Sequence, residues 1–561
     1  MKKTGDKEMF RNNPKGRGAS RLPRLTLLAS LLAGVVPLHA YAFKFTTGPD
    51  WDVNWDNTLS YNLGMRTQGI NPLIGNSPVL DEGDYKFRHA GDIVTNRVSI
   101  LSEFTAAYQG FVGVRVSGSA WKDFAYGSGD VTNPANPKIY TPSYPNGVYT
   151  PFTNRYYIQG AQLLDAFGFY NTQVAGHAVY FKLGQFTEYW GNSLLSPSQG
   201  ISFAQGASDV IKAFNSPGTT TKELLLPRPQ VSLTAQVLPD VSVSGIYYLG
   251  WTYNRLPTGG TYLESADFIA QGPSIGPGGL RQGPAGTPPN IDNNFGVKVG
   301  WTPHFMEGSM GFYFRRLDET QPWVLSNPKQ GQYFLGYNRG TDLVGYSLDT
   351  TLGNVSVGFE ASYRHNTALN TTVLAPSKEG ATGNIMNIVT NAIVPLSRTP
   401  FWDTGSVTAE IGYTHLLSVT QNPSIFNGIG SGYACGANGN KWNGCSTRDY
   451  VGFGFLFSPQ WLQVFPGVDI SMPSSITGGI YGVNPINPGS AGGAQGVFNF
   501  SIGLQALIRQ RATVTLAYNG YHAKPNGTGV LPGGLQYYNA GSGVYGLNDR
   551  PWVSLTVQSS F

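Results

Sequence analysis

The chain has 561 residues and a formal net charge of +5; only 12% of residues are charged, 13% are aromatic and 73 are glycine. Charge at about half the level of an average soluble domain argues against a solvated globular protein. The lack of an 18-residue apolar run beyond the N-terminal region argues against a helical membrane protein. Low charge, abundant aromatics and a mean hydropathy of −0.17 fit strands that show one face to lipid and the other to water.

Taken in order, the chain opens with basic residues such as Arg17, Arg21 and Arg24 ahead of an apolar core from Leu25 to Leu38. Ala40-Tyr41-Ala42 then supplies a small-x-small site. This pattern predicts a cleaved signal peptide over residues 1–42 and a mature chain from Phe43. Residues 1–42 hold eight Lys/Arg and two Asp/Glu; taking these from totals of 37 and 32 leaves 29 and 30, a net charge near −1. The basic balance therefore belongs to the leader and does not point to nucleic acid.

Alternation begins at once. Val53, Trp55, Leu59, Tyr61, Leu63 and Met65 oppose Asp52, Asn54, Asp56, Thr58, Ser60, Asn62 and Arg66. Acids and an arginine on one face suit a wet lumen better than a packed core. Further strands are predicted at about 96–109 and 111–124, then 163–174 and 177–187. A clear hairpin follows, with Val231, Leu233, Ala235 and Val237 against Gln230, Ser232, Thr234 and Gln236. After Leu238-Pro239-Asp240 its second arm runs to Asn254, which places Trp251 and Tyr253 at the outer membrane interface. Strands recur at about 293–303, 307–317, 342–351, 353–365, 384–396, 405–417, 447–458, 461–471, 496–509, 511–523 and 551–561.

Short turns alternate with long loops, among them 190–224 and 255–290, either of which could fold inward and narrow a pore. The fold class is all-β: a transmembrane antiparallel β-barrel of about 18 strands over residues 43–561, with counts of 16 or 14 left open by weak strands. Its short turns are periplasmic and its long loops extracellular. The aromatic Phe561 after an alternating strand matches the signal read by the barrel assembly machinery, although Ser559 stands where a second aromatic is usual. Cys435 and Cys445 lie in a Gly/Asn-rich segment and are expected to form a loop disulfide after export.

The runs Phe43–Gly48, Trp55–Thr58, Tyr61–Gly64, Gly91–Arg97 and Leu101–Phe104 resemble the DUF1302 family, exported proteobacterial proteins of unknown function. So do Leu226-Pro227, Arg255–Pro257 with Tyr262, and Asp549-Arg550. The resemblance implies an outer-membrane barrel. Members tend to be encoded beside envelope exporter-type transporters, which implies a role in moving hydrophobic compounds.

Chemistry-bearing motifs are sparse. Gly272-Pro273-Ser274-Ile275-Gly276 matches G-x-S-x-G, but in a Pro/Gly-rich loop instead of the strand-to-helix turn that a nucleophile elbow requires. The histidines are scattered singly, and no cofactor motif appears. Asp81-Glu82-Gly83-Asp84 offers oxygen ligands to a divalent cation, but a solvated acidic loop is the commoner role. The lumen-facing parity is more productive. Asp52, Asp56, Glu103, Glu360 and Glu410 fall on polar faces, as do Arg66, Arg97, Arg115, Lys182, Lys298, Arg315 and Arg364. Opposed charges of this kind set pore selectivity or pair with one another.

The leading expectation is an outer-membrane channel for small hydrophobic or amphipathic solutes. The alternatives are a structural or surface-interaction protein with a blocked lumen and, third, a barrel lipid hydrolase. Expected partners are outer-membrane lipid and lipopolysaccharide, the assembly machinery, a small solute and a periplasmic or exporter protein.

Overall fold

The alternating segments form one closed antiparallel sheet. The computed structural model describes residues 43–45, 48–80, 82–127, 131, 143–285, 293–486 and 493–561, all within the unit Ala42–Phe561. The predicted leader and Asp81 lie outside the described residues.

The first six strands are β1 (Trp51–Arg66), β2 (Ile93–Tyr108), β3 (Val112–Asp123), β4 (Gln159–Val174), β5 (His177–Phe186) and β6 (Arg228–Leu238). Then come β7 (Val241–Tyr248), β8 (Phe295–Trp301), β9 (Gly308–Leu317), β10 (Thr341–Leu352), β11 (Val355–Ala368) and β12 (Thr382–Pro395). The last six are β13 (Thr404–Gln421), β14 (Asp449–Phe465), β15 (Val468–Ser471 continued by Ser474–Tyr481), β16 (Phe498–Ile508), β17 (Ala512–His522) and β18 (Trp552–Ser560). Each pairs with its neighbours in sequence, and β18 pairs with β1 from Ser560 opposite Thr58 to Trp552 opposite Arg66. The barrel thus has 18 strands. Closure leaves no open sheet edge, the condition for a sheet to cross a bilayer.

Phe561 completes the seam. Its N–H donates to the Asn57 carbonyl and its own carbonyl accepts from the Asn57 N–H, both at 2.8 Å. Below it, Phe43–Phe45 continues the seam by pairing with Val53–Trp55. Turns at one end are short. Gln109-Gly110, for example, adopts φ of 47° and 71°, the left-handed pair that matches the twist of a two-residue hairpin. All nine connections at the other end are long.

The outer face is predominantly apolar. In the hairpin β6–β7, Leu233 is 47% exposed, while its neighbour Ser232 is 6% and Gln230 1% exposed. Two expectations need correction. β7 ends at Tyr248, and Trp251 and Tyr253 leave the lipid face to pack on Tyr337, with Trp251 edge-on at 4.8 Å. The predicted strand 461–471 is the end of β14 and the start of β15, because the chain reverses at Pro466-Gly467. The rest of β15, Ser474–Tyr481, has small residues at most positions and too little hydrophobic contrast to stand out.

The long loops fold as a cap. Phe87, Tyr126, Tyr149, Tyr157 and Tyr262 cluster with Trp552 at the top of β18. A further hairpin, Trp323–Asn327 with Gln332–Gly336, packs into a second cluster through Tyr333 and Leu335. Cys435 and Cys445 form the expected disulfide, with Cα atoms 6.2 Å apart.

Candidate functional site

The inside of the barrel is organised by residues 187–227, between β5 and β6. This stretch holds Trp190, Ile201, Ala207 and Ile211, all buried. Its apolar side chains have no place at an aqueous rim, and it turns inward along the lumen wall. The wall is shaped for it. A Cβ on Gly296, Gly345, Gly412 or Gly454 would come closer than 3.0 Å to Trp190, Ile201, Gln199 or Leu195. Bare backbone at these lumen-facing positions lets the segment lie flush against β8, β10, β13 and β14.

Charge holds it there. Glu360 on β11 accepts the backbone N–H groups of Asn192, Ser193 (2.9 Å) and Ile201 (2.7 Å). Glu410 on β13 accepts those of Leu194 (2.6 Å) and Leu195 (2.9 Å), together with the Ser193 hydroxyl. Arg315 on β9 donates to the carbonyls of Ile201 and Phe203 at 2.7 and 2.8 Å. Arg364 donates to Gly200 at 3.0 Å and stacks 3.9 Å over the Phe203 ring. Hydrogen bonds to charged groups contribute roughly 1.5–3 kcal/mol each, so this set offsets much of the entropy of ordering residues 192–203.

The segment then crosses to the other side. Lys212 donates to the Ser119 hydroxyl on β3 at 3.0 Å and pairs with Glu223 at 3.1 Å. Asn62 on β1 and Thr556 on β18 donate to the Pro217 carbonyl at 2.9 and 3.1 Å. Asp209 pairs with Arg255 at 2.9 Å.

The remaining sequence-predicted lumen charges divide by depth. Asp52 and Asp56 are exposed at the short-turn end. Glu103 joins Arg115, Asp165 and Lys222 in a mixed quartet, with Arg115 to Asp165 at 3.3 Å and Lys222 to Glu103 at 2.9 Å. Lys182 pairs with Glu188 at 2.7 Å. Lys298 stands 5.6 Å from the Tyr313 ring. Arg97 is buried, donating to the Tyr157 carbonyl at 3.1 Å and stacking on Trp121. Arg66, Arg97, Arg315, Glu360, Arg364 and Glu410 are each at most 2% exposed. They lie on the polar faces that parity marks, and folded chain covers them. Parity identified their face, but nothing local shows what docks on it. The glycines at lumen parity were the overlooked signal.

Arg66 lies in the cap, bonded to Asp84 at 2.8 Å and near Asp549 at 3.4 Å. Arg550 meets Asp84 at 3.3 Å and Glu264 at 3.7 Å. Burial, with Asp267 adding to it, pushes the Glu264 carboxyl well up. Burial and the neighbouring Asp84 push Asp549 up to about 7 against the pull of Arg550 and Arg66. The acidic run at Glu82–Asp84 thus serves the cap: Asp84 binds both arginines and Glu82 accepts the Ser143 N–H. Among the described residues no group of three or more His, Cys, Asp or Glu could hold a metal ion. Ser274 of the G-x-S-x-G string donates its hydroxyl to the Ser143 carbonyl at 3.0 Å, in a loop. His415 faces outward, its Nδ1 2.7 Å from Asp449.

One part of the lumen wall differs. β15, β16 and β17 make no hydrogen bond to residues 187–227 among the described residues. Their lumen-facing Ser475, Asn499, Ser501, Gln505, Thr513, Thr515 and Asn519 stay half-buried.

An apolar belt around a closed antiparallel barrel of even strand number is the architecture of the Gram-negative outer membrane, and this chain resides there. Comparison with curated protein sequences finds no match. Among solved structures the chain resembles OpdK of Pseudomonas aeruginosa, crystallised with vanillate, at 9% identity and a TM-score of 0.39, covering 91% of this chain and 98% of that one. It also resembles the outer membrane channel DcaP of Acinetobacter baumannii (10%, 0.35, covering 92% and 99%). A third is OccAB1 of the same organism (12%, 0.39, covering 91% and 96%). A family model described as a protein of unknown function, DUF1302, matches residues 23–561, and the chain belongs to that family.

Proposed function

We propose that the protein is an outer-membrane channel for small hydrophobic or amphipathic solutes, with residues 187–227 as its constriction. The observation that supports it is the anchoring of that segment by Glu360, Glu410, Arg315 and Arg364. A wide barrel is narrowed by a fixed element held against the wall from β18 round to β14, which is how a selective pore differs from an open one. The leader over residues 1–42 would deliver it across the inner membrane, and Phe561 would present the strand end to the assembly machinery. Outer-membrane lipid and lipopolysaccharide would surround the belt, and a periplasmic or exporter protein would supply or receive the solute.

Single-channel recording in planar bilayers tests this reading, with discrete conductance steps expected. No steps and no solute-driven swelling of liposomes would sink it. A second reading, a structural or surface-interaction protein with a blocked lumen, is favoured by the mutual pairing of Arg115, Glu103, Asp165 and Lys222. The same recordings decide between them.

A further inference from the structure

We infer that the permeation path runs along the lumen face of β15–β17 and that, among amphipathic solutes, it favours those whose polar part is an uncharged hydroxyl or amide; this rests on the channel reading above. Two observations coincide on these strands. The inward segment contacts the wall from β18 through β1 and round to β14, where Leu195 meets Gly454, and it makes no hydrogen bond to β15–β17 among the described residues. Those same strands are almost free of charge. Within Ser474–Tyr481, Phe498–Ile508 and Ala512–His522 there is no Asp, Glu, Lys or Arg; the one acid of β15, Asp469, lies at the short-turn end, where its carboxylate accepts from the Gln463 N–H at 2.8 Å and the Gln510 amide at 3.0 Å. The single histidine there, His522, shares the outward parity of Leu516 and Tyr518 and stacks on Phe498 at 6.2 Å.

The strip is a self-satisfied polar surface with donors and acceptors to spare. The Gln505 amide donates to Thr515 at 2.9 Å and the Asn519 amide to Ser554 at 3.2 Å. Leu507 and Ala517 interrupt it with apolar contact. Three strands at about 4.8 Å spacing present roughly 15 Å of arc, enough for a small solute. An ion pressed against this strip would give up part of its hydration without meeting an opposite charge, which is costly. A neutral solute would exchange water for side-chain hydroxyls and amides at little cost. Segment Ala494–Val497 leans over the upper end, where the Gly479 N–H donates to the Val497 carbonyl at 3.0 Å. The strip therefore narrows toward the cap.

Cysteine accessibility tests the path. Cys435 and Cys445 are joined, and no free cysteine exists among the described residues. Ser501→Cys or Thr515→Cys therefore introduces one thiol. A bulky cationic thiosulfonate reagent should lower single-channel current at least two-fold in both variants, reversibly with reductant. Lys222→Cys, on the inward segment beside Glu103, should respond less. Block at Lys222→Cys without block at Ser501→Cys and Thr515→Cys would overturn the path.

Liposome swelling tests the charge selection, with a hydroxyl-bearing probe in neutral and anionic form. Arabinose should enter at least three-fold faster than arabinonate, and Thr515→Arg should shrink that ratio. Equal rates in the wild-type protein would overturn the selectivity. A wild-type protein with no channel events and no swelling would sink the channel reading itself, whereas channel events without block at these positions sink the path alone.

Discussion

Two stretches of one wall do opposite work. From β9 to β13 the lumen face carries Arg315, Glu360, Arg364 and Glu410, and all four are buried beneath the inward segment. From β15 to β17 it carries serine, threonine, asparagine and glutamine that stay half-buried. The same alternation produces both faces. Their fates differ because a charged face binds the backbone groups of another segment more strongly than an uncharged face of small side chains does. Charge in this lumen is scaffold as much as selectivity.

The largest effect is expected from breaking the scaffold. Glu360→Ala with Glu410→Ala removes the acceptors of five backbone N–H groups in residues 192–201. Each buried group left unmet costs about 1–3 kcal/mol, so the segment should detach. Single-channel conductance should rise several-fold, and amide exchange of residues 190–205 should approach that of free chain. Unchanged conductance would mean that the segment is not the constriction.

A second experiment tests the sidedness of the uncharged wall. Leu516 is 52% exposed on the outer face of β17, and Thr515 beside it faces the lumen. Leu516→Arg should destabilise the barrel by about 2–4 kcal/mol in chemical denaturation from lipid vesicles. Thr515→Arg should cost far less. Equal costs would contradict the assignment of faces.

Packing beneath the segment gives a smaller effect. A side chain at Gly345 would collide with Ile201, and overpacking costs typically about 1–3 kcal/mol. Gly345→Val should raise proteolytic nicking within residues 190–205 while leaving the strands intact. Gly245 has open space about its Cβ position, and Gly245→Ala should leave nicking unchanged.

The smallest expected effect is on pH. Burial pushes the Asp549 carboxyl in the cap up to about 7, and Glu264 is shifted in the same direction. A carboxyl raised on folding stabilises fully below its unfolded value and loses that contribution as pH rises through the folded one. Amide exchange in loops 67–92 and 249–294, corrected for its intrinsic rate, should therefore quicken from pH 5.5 to pH 8. Ser474–Tyr481, Phe498–Ile508 and Ala512–His522 carry no Asp, Glu, Lys or Arg, and amide exchange there should not respond. A cap that tightens over this range would reverse the sign.

Much of this architecture is legible in the chain itself. Period-two alternation marks β1, β6 and β11 because the side-chain period of a strand is local and needs no partner. β15 escaped because small residues such as Ser474, Ser475, Gly478 and Gly479 leave no contrast to read. Trp251 and Tyr253 kept the parity of β7 yet left the strand, since their best contact is Tyr337, more than eighty residues on.

The sequence by itself determined which residues face inward, where the chain turns, that Cys435 and Cys445 lie close enough to join, and that Arg66, Glu360 and Glu410 sit on polar faces. Only the tertiary structure decided which inward faces meet water. Parity is a property of neighbouring residues, but burial in the lumen depends on a segment that returns to strands more than a hundred residues away in sequence, seated by lumen-facing glycines and held by buried charge.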